Sequence, residues 1–397
     1  MADDATPSPP AAPAALRALA SLSGHKGAVT CVDAGAGVPA AAGAPERLLA
    51  SGGEDGSVRI WDLATARGVR ALLPPEGGEV SAVCLGRGER WGSWVYAAVG
   101  RAILGFDLRA PGVLLRQPAW TLAASSDDVA DLAASENGAL LAAADDAGDV
   151  QLVRLNLGAP DATAPPPADA IASAHGDSLC TCAAFRPAAA GAGAELCSGG
   201  LDCHVVRHGF GDSAGGGAPS PLARWSLAPP AAAASAQLVN PRYVFSLSYS
   251  ADGETLAVAL GDGTLELRDA GCGDLLASAD AHHSAASQVR FLGRATAGGA
   301  VPLVSAGDDR RLRLWTTHGA VAGFELGSGA AKRRKARRRV SRGADAELRA
   351  AAEVDLDEKI NWVAVADAQA DAGGGGGGAL ACVADTGDAV RLFAVEC

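Results

Sequence analysis

The sequence predicts an all-β fold, a seven-bladed β-propeller closed by an N-terminal strand that pairs with the last blade. Three observations carry that prediction. A unit of apolar run, acidic turn and apolar run returns seven times; the seventh unit stops one strand short; and a spare strand-like run, residues 16–22, precedes the first unit. A repeat of this kind builds sheets that each bury a face against the next. Pairing the spare run with the short last unit removes two open sheet edges at once.

The first unit is the clearest. Gly24-His25-Lys26-Gly27-Ala28-Val29 opens it, and Leu48-Leu49-Ala50-Ser51-Gly52-Gly53-Glu54-Asp55-Gly56-Ser57-Val58-Arg59-Ile60-Trp61-Asp62 closes it. Two β-runs flank a Glu-Asp-Gly turn between a Gly-His and a Trp-Asp, which is similar to the WD40 repeat pattern. The later units close near Phe106, Val153, His208, Arg268, Trp315 and Phe393, at near-regular spacing except where low-complexity segments intervene. These readings divide the chain into a disordered tail at 1–14 and one propeller domain at 15–397. Inserts interrupt the propeller at 158–170, 188–194, 211–236, 319–358 and 369–378, where strand-connecting loops tolerate added length.

Composition agrees with one large repeat domain. The 397 residues are 49% hydrophobic and 20% charged, enough apolar material for a core, and 51 glycines and 21 prolines supply loops. No run approaches the roughly 20 apolar residues that a membrane span needs, so no membrane association is expected. The start, with Asp3 and Asp4 followed by Pro and Ala, does not read as a secretion signal. Nine scattered cysteines, an odd number, read as reduced thiols of a nuclear or cytoplasmic protein without structural disulfides.

Within the repeats, His25, Ser51, Asp55 and Trp61 form one expected hydrogen-bonded set, and His282, Ser305, Asp309 and Trp315 a second. A third is partial, with His175, Ser198, Asp202 and His208 in place of the Trp. Out of context, His, Ser and Asp suggest a hydrolytic triad. Recurrence at one spacing in separate units favours a structural role fixing the turn, and no catalytic residue is expected. Cys180-Thr181-Cys182 and Cys203-His204 with His208 look ligand-like. Cys180 and Cys182 can share a strand face, but no matching second pair exists, and His204 and His208 lie about 13 Å apart on a strand, so no metal is expected. No glycine-rich loop precedes a phosphate-binding lysine, so no cofactor is expected either.

Several segments together resemble the WD repeat-containing protein 53 family: Ser126-Asp127-Asp128-Val129, Ala183-Ala184-Phe185-Arg186-Pro187, Gln237-Leu238-Val239-Asn240-Pro241, Ser287-Gln288-Val289 and Glu358-Lys359-Ile360-Asn361-Trp362. The resemblance covers nearly the whole chain outside the inserts. It implies a non-enzymatic scaffold that binds proteins or peptides, and a likeness to substrate receptors of cullin-4 RING ubiquitin ligases. Such receptors dock on the ligase's propeller adaptor through an aromatic-Asp-x-Arg box, which Phe106-Asp107-Leu108-Arg109 fits with Phe for the usual Trp. In that reading Asp107 braces the turn and Arg109 offers bidentate hydrogen bonds to the adaptor. The same residues also read as an ordinary strand end with a solvated arginine, and Trp61-Asp62-Leu63-Ala64 lacks the arginine of a second box.

The net charge is −12, yet Lys332, Arg333, Arg334, Lys335, Arg337, Arg338, Arg339 and Arg342 form a run without an acidic residue; without these eight charges the chain would carry −20. The run reads as a nuclear import signal, a nucleic-acid contact or a solvated loop. An acidic body repels phosphate, so nucleic acid is expected to bind, if at all, through this run. The alternative function is therefore a nuclear chromatin- or RNA-associated subunit.

Overall fold

The computed structural model describes residues 14–396 apart from 40–44, 76, 124, 156–163, 188–193, 211–217, 229–239, 294–300, 319–346 and 368–378. Seven sheets follow one another along the chain, each built on four antiparallel strands. Blade 1 runs from inside outward as Val29–Pro39, Pro45–Gly53, Val58–Asp62 and Arg67–Leu72, and blade 2 as Val80–Leu85, Trp94–Val99, Ala102–Asp107 and Trp120–Ala123. Blades 3, 4, 5 and 6 begin at Val129–Ala134, Cys180–Phe185, Val244–Tyr249 and Ala286–Phe291. Blade 7 takes Ile360–Asp367, Ala379–Asp385 and Ala389–Glu396 from the C-terminal end and its outermost strand, Ala15–Ser23, from the N-terminal end.

Ring closure follows the expected pairing. Leu16 lies opposite Val395 and Leu22 opposite Val390 in antiparallel register. Buried side chains collect in seven clusters, one between each pair of neighbouring blades, with Leu22, Val29, Trp61, Cys382 and Val390 joining blade 7 to blade 1. Second strands are buried on both faces, as in Leu140–Asp145, where every residue is inaccessible. That is why these strands read as continuous apolar runs while outer strands do not.

Three insert boundaries need correction. Ala168–Ile171, Ser220–Ser226 and Glu347–Asp355 are the outermost strands of blades 3, 4 and 6, each paired with the third strand of its blade. They overlap the segments 158–170, 211–236 and 319–358 that the sequence reads as loops. An outermost strand has one sheet neighbour and little core to fill, so backbone pairing suffices and apolar patterning is weak, as the mostly exposed Ser220–Ser226 shows. The tail at 1–13 and the segment 369–378 lie outside the described residues.

One irregularity recurs in every blade. The innermost strand carries a register shift after its first residue, between Val29 and Cys31, Val80 and Ala82, Val129 and Asp131, Cys180 and Cys182, Val244 and Ser246, Ala286 and Gln288, and Ile360 and Trp362. Such a bulge re-aims the extra residue out of the strand alternation. Where that residue is polar, it reaches the next blade: Thr30 donates to the Val80 carbonyl, Ser81 to Val129, Thr181 to Val244, Ser287 to Ile360 and Asn361 to Val29. The last of these fastens blade 7 to blade 1. The bulge also separates Cys180 from Cys182, which join the clusters on opposite sides of blade 4. They do not share a face, contrary to the strand alternation expected from sequence.

Candidate functional site

The His/Ser/Asp/Trp sets assemble as expected, and their geometry sets their chemistry. In blade 1, Trp61 Nε1 donates to Ser51 Oγ at 2.8 Å, Ser51 faces His25 Nε2 at 2.8 Å, and His25 Nδ1 faces Asp55 Oδ1 at 3.0 Å. With a neutral imidazole protonated on Nδ1, every donor points one way along the chain from Trp61 to Asp55. Burial pushes the His25 pKa down and favours that neutral form, against the pull of Asp55. Burial opposes ionisation of Asp55, but bonds from the Ser57 hydroxyl, the Lys26 N–H and His25 outweigh it and hold the carboxyl at about 2. Blade 6 repeats the arrangement with Trp315, Ser305, His282 and Asp309, each contact at 2.8 Å.

Blade 4 is the incomplete set. His175 contacts Ser198 and Asp202 at 2.9 Å, and His208 takes the tryptophan's place with Nε2 at 3.3 Å from Ser198. Its other nitrogen, Nδ1, is buried without a partner. Burial, reinforced by His175, brings the His208 pKa down to about 4.

Ser51, Ser198 and Ser305 have 0% exposure. A serine that must reach a substrate carbonyl cannot be sealed in this way, so the sets fasten turns. His204 Nδ1 bonds the Asp202 carbonyl at 2.7 Å while His208 faces Ser198, so the two point to different partners. Among the described residues no group of three potential ligands converges on a metal position.

The bulge residues surround the mouth of the central channel at the end that carries these turns. A cavity of about 660 Å³ lies there, lined by Thr30, Ser81, Phe245, Ser287, Asn361 and Trp362, with Glu54, Glu79, Asp308 and Lys359 at its edge. Sequence reading did not single out this set, because its members are unlike residues on five different blades. For all of them but Trp362 the available signal was their shared place, one residue into the first strand of a repeat.

The comparisons with known proteins bear on this architecture. The family profile described as WD domain, G-beta repeat matches residues 16–62, the closing strand and the first three strands of blade 1. The fold is that of a seven-bladed WD40-type propeller. The WD40 propeller domain of Doa1, a crystal structure, superposes with a TM-score of 0.60 at 16% identity, over 95% of this chain and 96% of that one. A WD repeat-containing protein 53 homolog from Dictyostelium discoideum is 23% identical over 257 residues, covering 62% of this chain and 64% of that protein, less than two thirds of its length.

The Phe106–Arg109 stretch sits at the outer corner of blade 2. Phe106 is fully buried in the cluster between blades 1 and 2, and the Leu108 N–H bonds the Ser93 carbonyl at 2.8 Å. Asp107 accepts the Arg109 N–H at 2.9 Å and clamps its guanidinium, with Nε at 3.0 Å and Nη2 at 2.8 Å. The fork that sequence reading assigned to a partner is thus engaged within the chain, and the half-exposed guanidinium is held in one orientation. The chain beyond it crosses back to blade 1, where Leu114–Leu115 pairs in parallel with Arg67–Leu72, leaving Val69, Val113 and Leu114 exposed together. The basic run 332–342 lies outside the described residues.

Proposed function

We propose that this WD40 propeller is a protein-interaction scaffold that serves as a substrate receptor on the propeller adaptor of cullin-4 ubiquitin ligases. The observation that supports the reading is the Asp107 clamp on Arg109. A guanidinium fixed before a partner arrives loses little rotamer freedom on binding, and Arg is among the residues that dominate interfaces. Val69, Val113 and Leu114, on the edge of blade 1 that the following chain reaches, are exposed apolar residues of the kind an interface covers. The similarity to the Dictyostelium protein favours the same family reading. The fold supplies a rigid frame, and the motif serines are sealed from substrate, so the activity read here is binding.

Purified protein and adaptor test this directly. Arg109→Ala is expected to weaken capture by about 30-fold, as for a hot-spot arginine, with the fold unchanged by circular dichroism. Equal capture by both proteins, or none by the wild type, rejects the receptor role. Import through the basic run is a separate proposal, tested by deleting 332–342 and following the nuclear fraction; an unchanged fraction rejects it.

A further inference from the structure

Positive charge and apolar exposure coincide on one outer edge of the ring. The fourth strand of blade 1, Arg67–Leu72, carries Arg67 and Arg70 and no acidic residue. The outermost strands of blades 3, 5 and 6 each carry acid, at Asp169, Asp280 and Glu353. That of blade 2 is uncharged. In blades 4 and 7 the outermost strand has an arginine that a carboxylate already answers, Arg224 with Asp202 at 2.6 Å and Arg17 with Glu396 at 3.4 Å. Blade 1 is therefore the positive edge of a chain whose net charge is −12. Among the described residues, Arg67 and Arg116 are exposed and make no hydrogen bond or ion pair. Leu115 lies opposite Leu72, so Arg116 stands about six residues, or roughly 20 Å, along the edge from Arg67. The exposed Val69, Val113 and Leu114 lie between the two.

The backbone of this edge is open as well. Ala71 and Leu73 donate to the Val113 and Leu115 carbonyls at 2.9 and 2.8 Å. In a parallel ladder the residue between two such acceptors turns its N–H and C=O the other way, so those of Leu114 face outward. Arg70 Nη1 ties the segment down through the Ala110 carbonyl at 2.6 Å, which leaves the edge fixed before any partner arrives.

We infer that this edge binds an extended partner segment that alternates acidic and apolar residues, adding it as a strand outside Leu114–Leu115 with its carboxylates on Arg67 and Arg116. Alternation gives such a strand one acidic and one apolar face, and the main-chain ladder gives it register. A nucleic acid answers the arginines but offers no ladder for Leu114 and no cover for the valines, and the acidic remainder of the chain repels it. The inference rests on the scaffold reading and names the kind of segment bound; Arg109 takes no part in it.

Fluorescence anisotropy of the labelled heptapeptide Glu-Val-Glu-Val-Glu-Val-Glu with the full-length protein tests the assignment, beside its lysine-for-glutamate counterpart and a labelled single-stranded oligonucleotide. The acidic peptide is expected to bind at least about tenfold more tightly than the other two. Arg67→Gln/Arg116→Gln should weaken it about tenfold, as the loss of two exposed ion pairs allows. Leu114→Pro removes the outward N–H without touching the bonds to blade 1, and should weaken it as well, which a purely electrostatic contact would not show. Both variants should keep the circular dichroism spectrum of the wild type. Equal binding of the lysine peptide or the oligonucleotide, no binding of the acidic peptide, or unchanged binding by either variant overturns the inference. A dimer in sedimentation that the double variant dissolves would assign the edge to a second copy and overturn it too. Arg109→Ala should leave the peptide bound. Lost adaptor capture with peptide binding intact strikes the adaptor reading alone, and the reverse strikes this edge alone.

Discussion

Blades 1 and 3 fasten the same turn by opposite means. In blade 1 the turn between the second and third strands is held by His25, whose ring needs room: a Cβ on Gly53 would lie 2.8 Å from its Nδ1. The same holds for Gly200 against His175 and Gly307 against His282. In blade 3 the place of that glycine is taken by Asp145, and the place of the histidine, four residues before the first strand residue, by Ser125. Asp145 then caps its own turn, accepting the Asp149 N–H on Oδ1 at 2.9 Å. Blade 7 does likewise with Asp385, which accepts the Gly387 N–H at 2.9 Å. A glycine with a histidine, or an aspartate alone, are two exclusive ways to fix one turn. The second is the less satisfied, since Asp145 Oδ2 and Ser125 Oγ in blade 3 are buried without a partner.

The largest effect on this contrast should come from the end of the histidine chain. Trp61→Ala removes a ring that is 4% exposed in the cluster joining blades 7 and 1, and it takes the donor from Ser51. Urea denaturation should register a loss of about 3–5 kcal/mol, and a loss under 1 kcal/mol would mean the blade relaxes into the space.

A swap of mechanism comes next. Gly53→Asp forces a side chain into the His25 ring and should cost about 3 kcal/mol, whereas Gly53→Asp with His25→Ser builds the blade 3 solution and should recover at least about 1 kcal/mol of it. A double variant no better than the single would show that the two solutions are not interchangeable.

Acid titration separates blade 4 from both. His208 holds a pKa of about 4 against the ordinary 6.5 because it is buried near His175. Below pH 6.5 the unfolded chain takes up the proton first, so stability is full above that value and declines as pH falls toward 4. Over that window His208 accounts for about 3 kcal/mol, and His208→Leu should flatten the decline by that amount in denaturation curves at pH 7, 5.5 and 4.5. An unaltered pH profile in the variant would remove His208 as the cause.

The smallest change is expected in blade 3. Burial raises the Asp145 pKa, so its contribution to stability is present at low pH and lost as pH rises through the folded value, where the unpartnered charge must form. Asp145→Asn keeps the Oδ1 acceptor without that charge and should stabilise by about 1 kcal/mol at pH 7, with less gain at pH 4. Destabilisation at pH 7 would mean the carboxylate has a partner in solution.

Legibility in the sequence followed the same divide. Blades 1 and 6 could be read because glycine, histidine, serine, aspartate and tryptophan must recur at fixed spacing when one ring has to thread a buried hydrogen-bonded chain. The partial set of blade 4 was visible too, with His208 already in the tryptophan's place. Outer strands at Ala168–Ile171, Ser220–Ser226 and Glu347–Asp355 passed as loops because pairing with a preceding strand asks little of side chains. The orientation of Arg109 was not legible at all, since nothing in four residues says that Asp107 will occupy its fork.

Local chemistry written along the chain therefore determined the repeat, the number of blades, the closure by residues 15–23 and the sealed histidine chains, all of which depend on spacing that a sequence displays. The tertiary structure alone decided the mouth. Phe245, Trp362, Glu54, Glu79 and Asp308 are separated by as many as 308 residues and meet only because seven bulged strands converge on one axis. A site made by ring closure has no spacing of its own in the chain, and that is the physical reason it could not be read there.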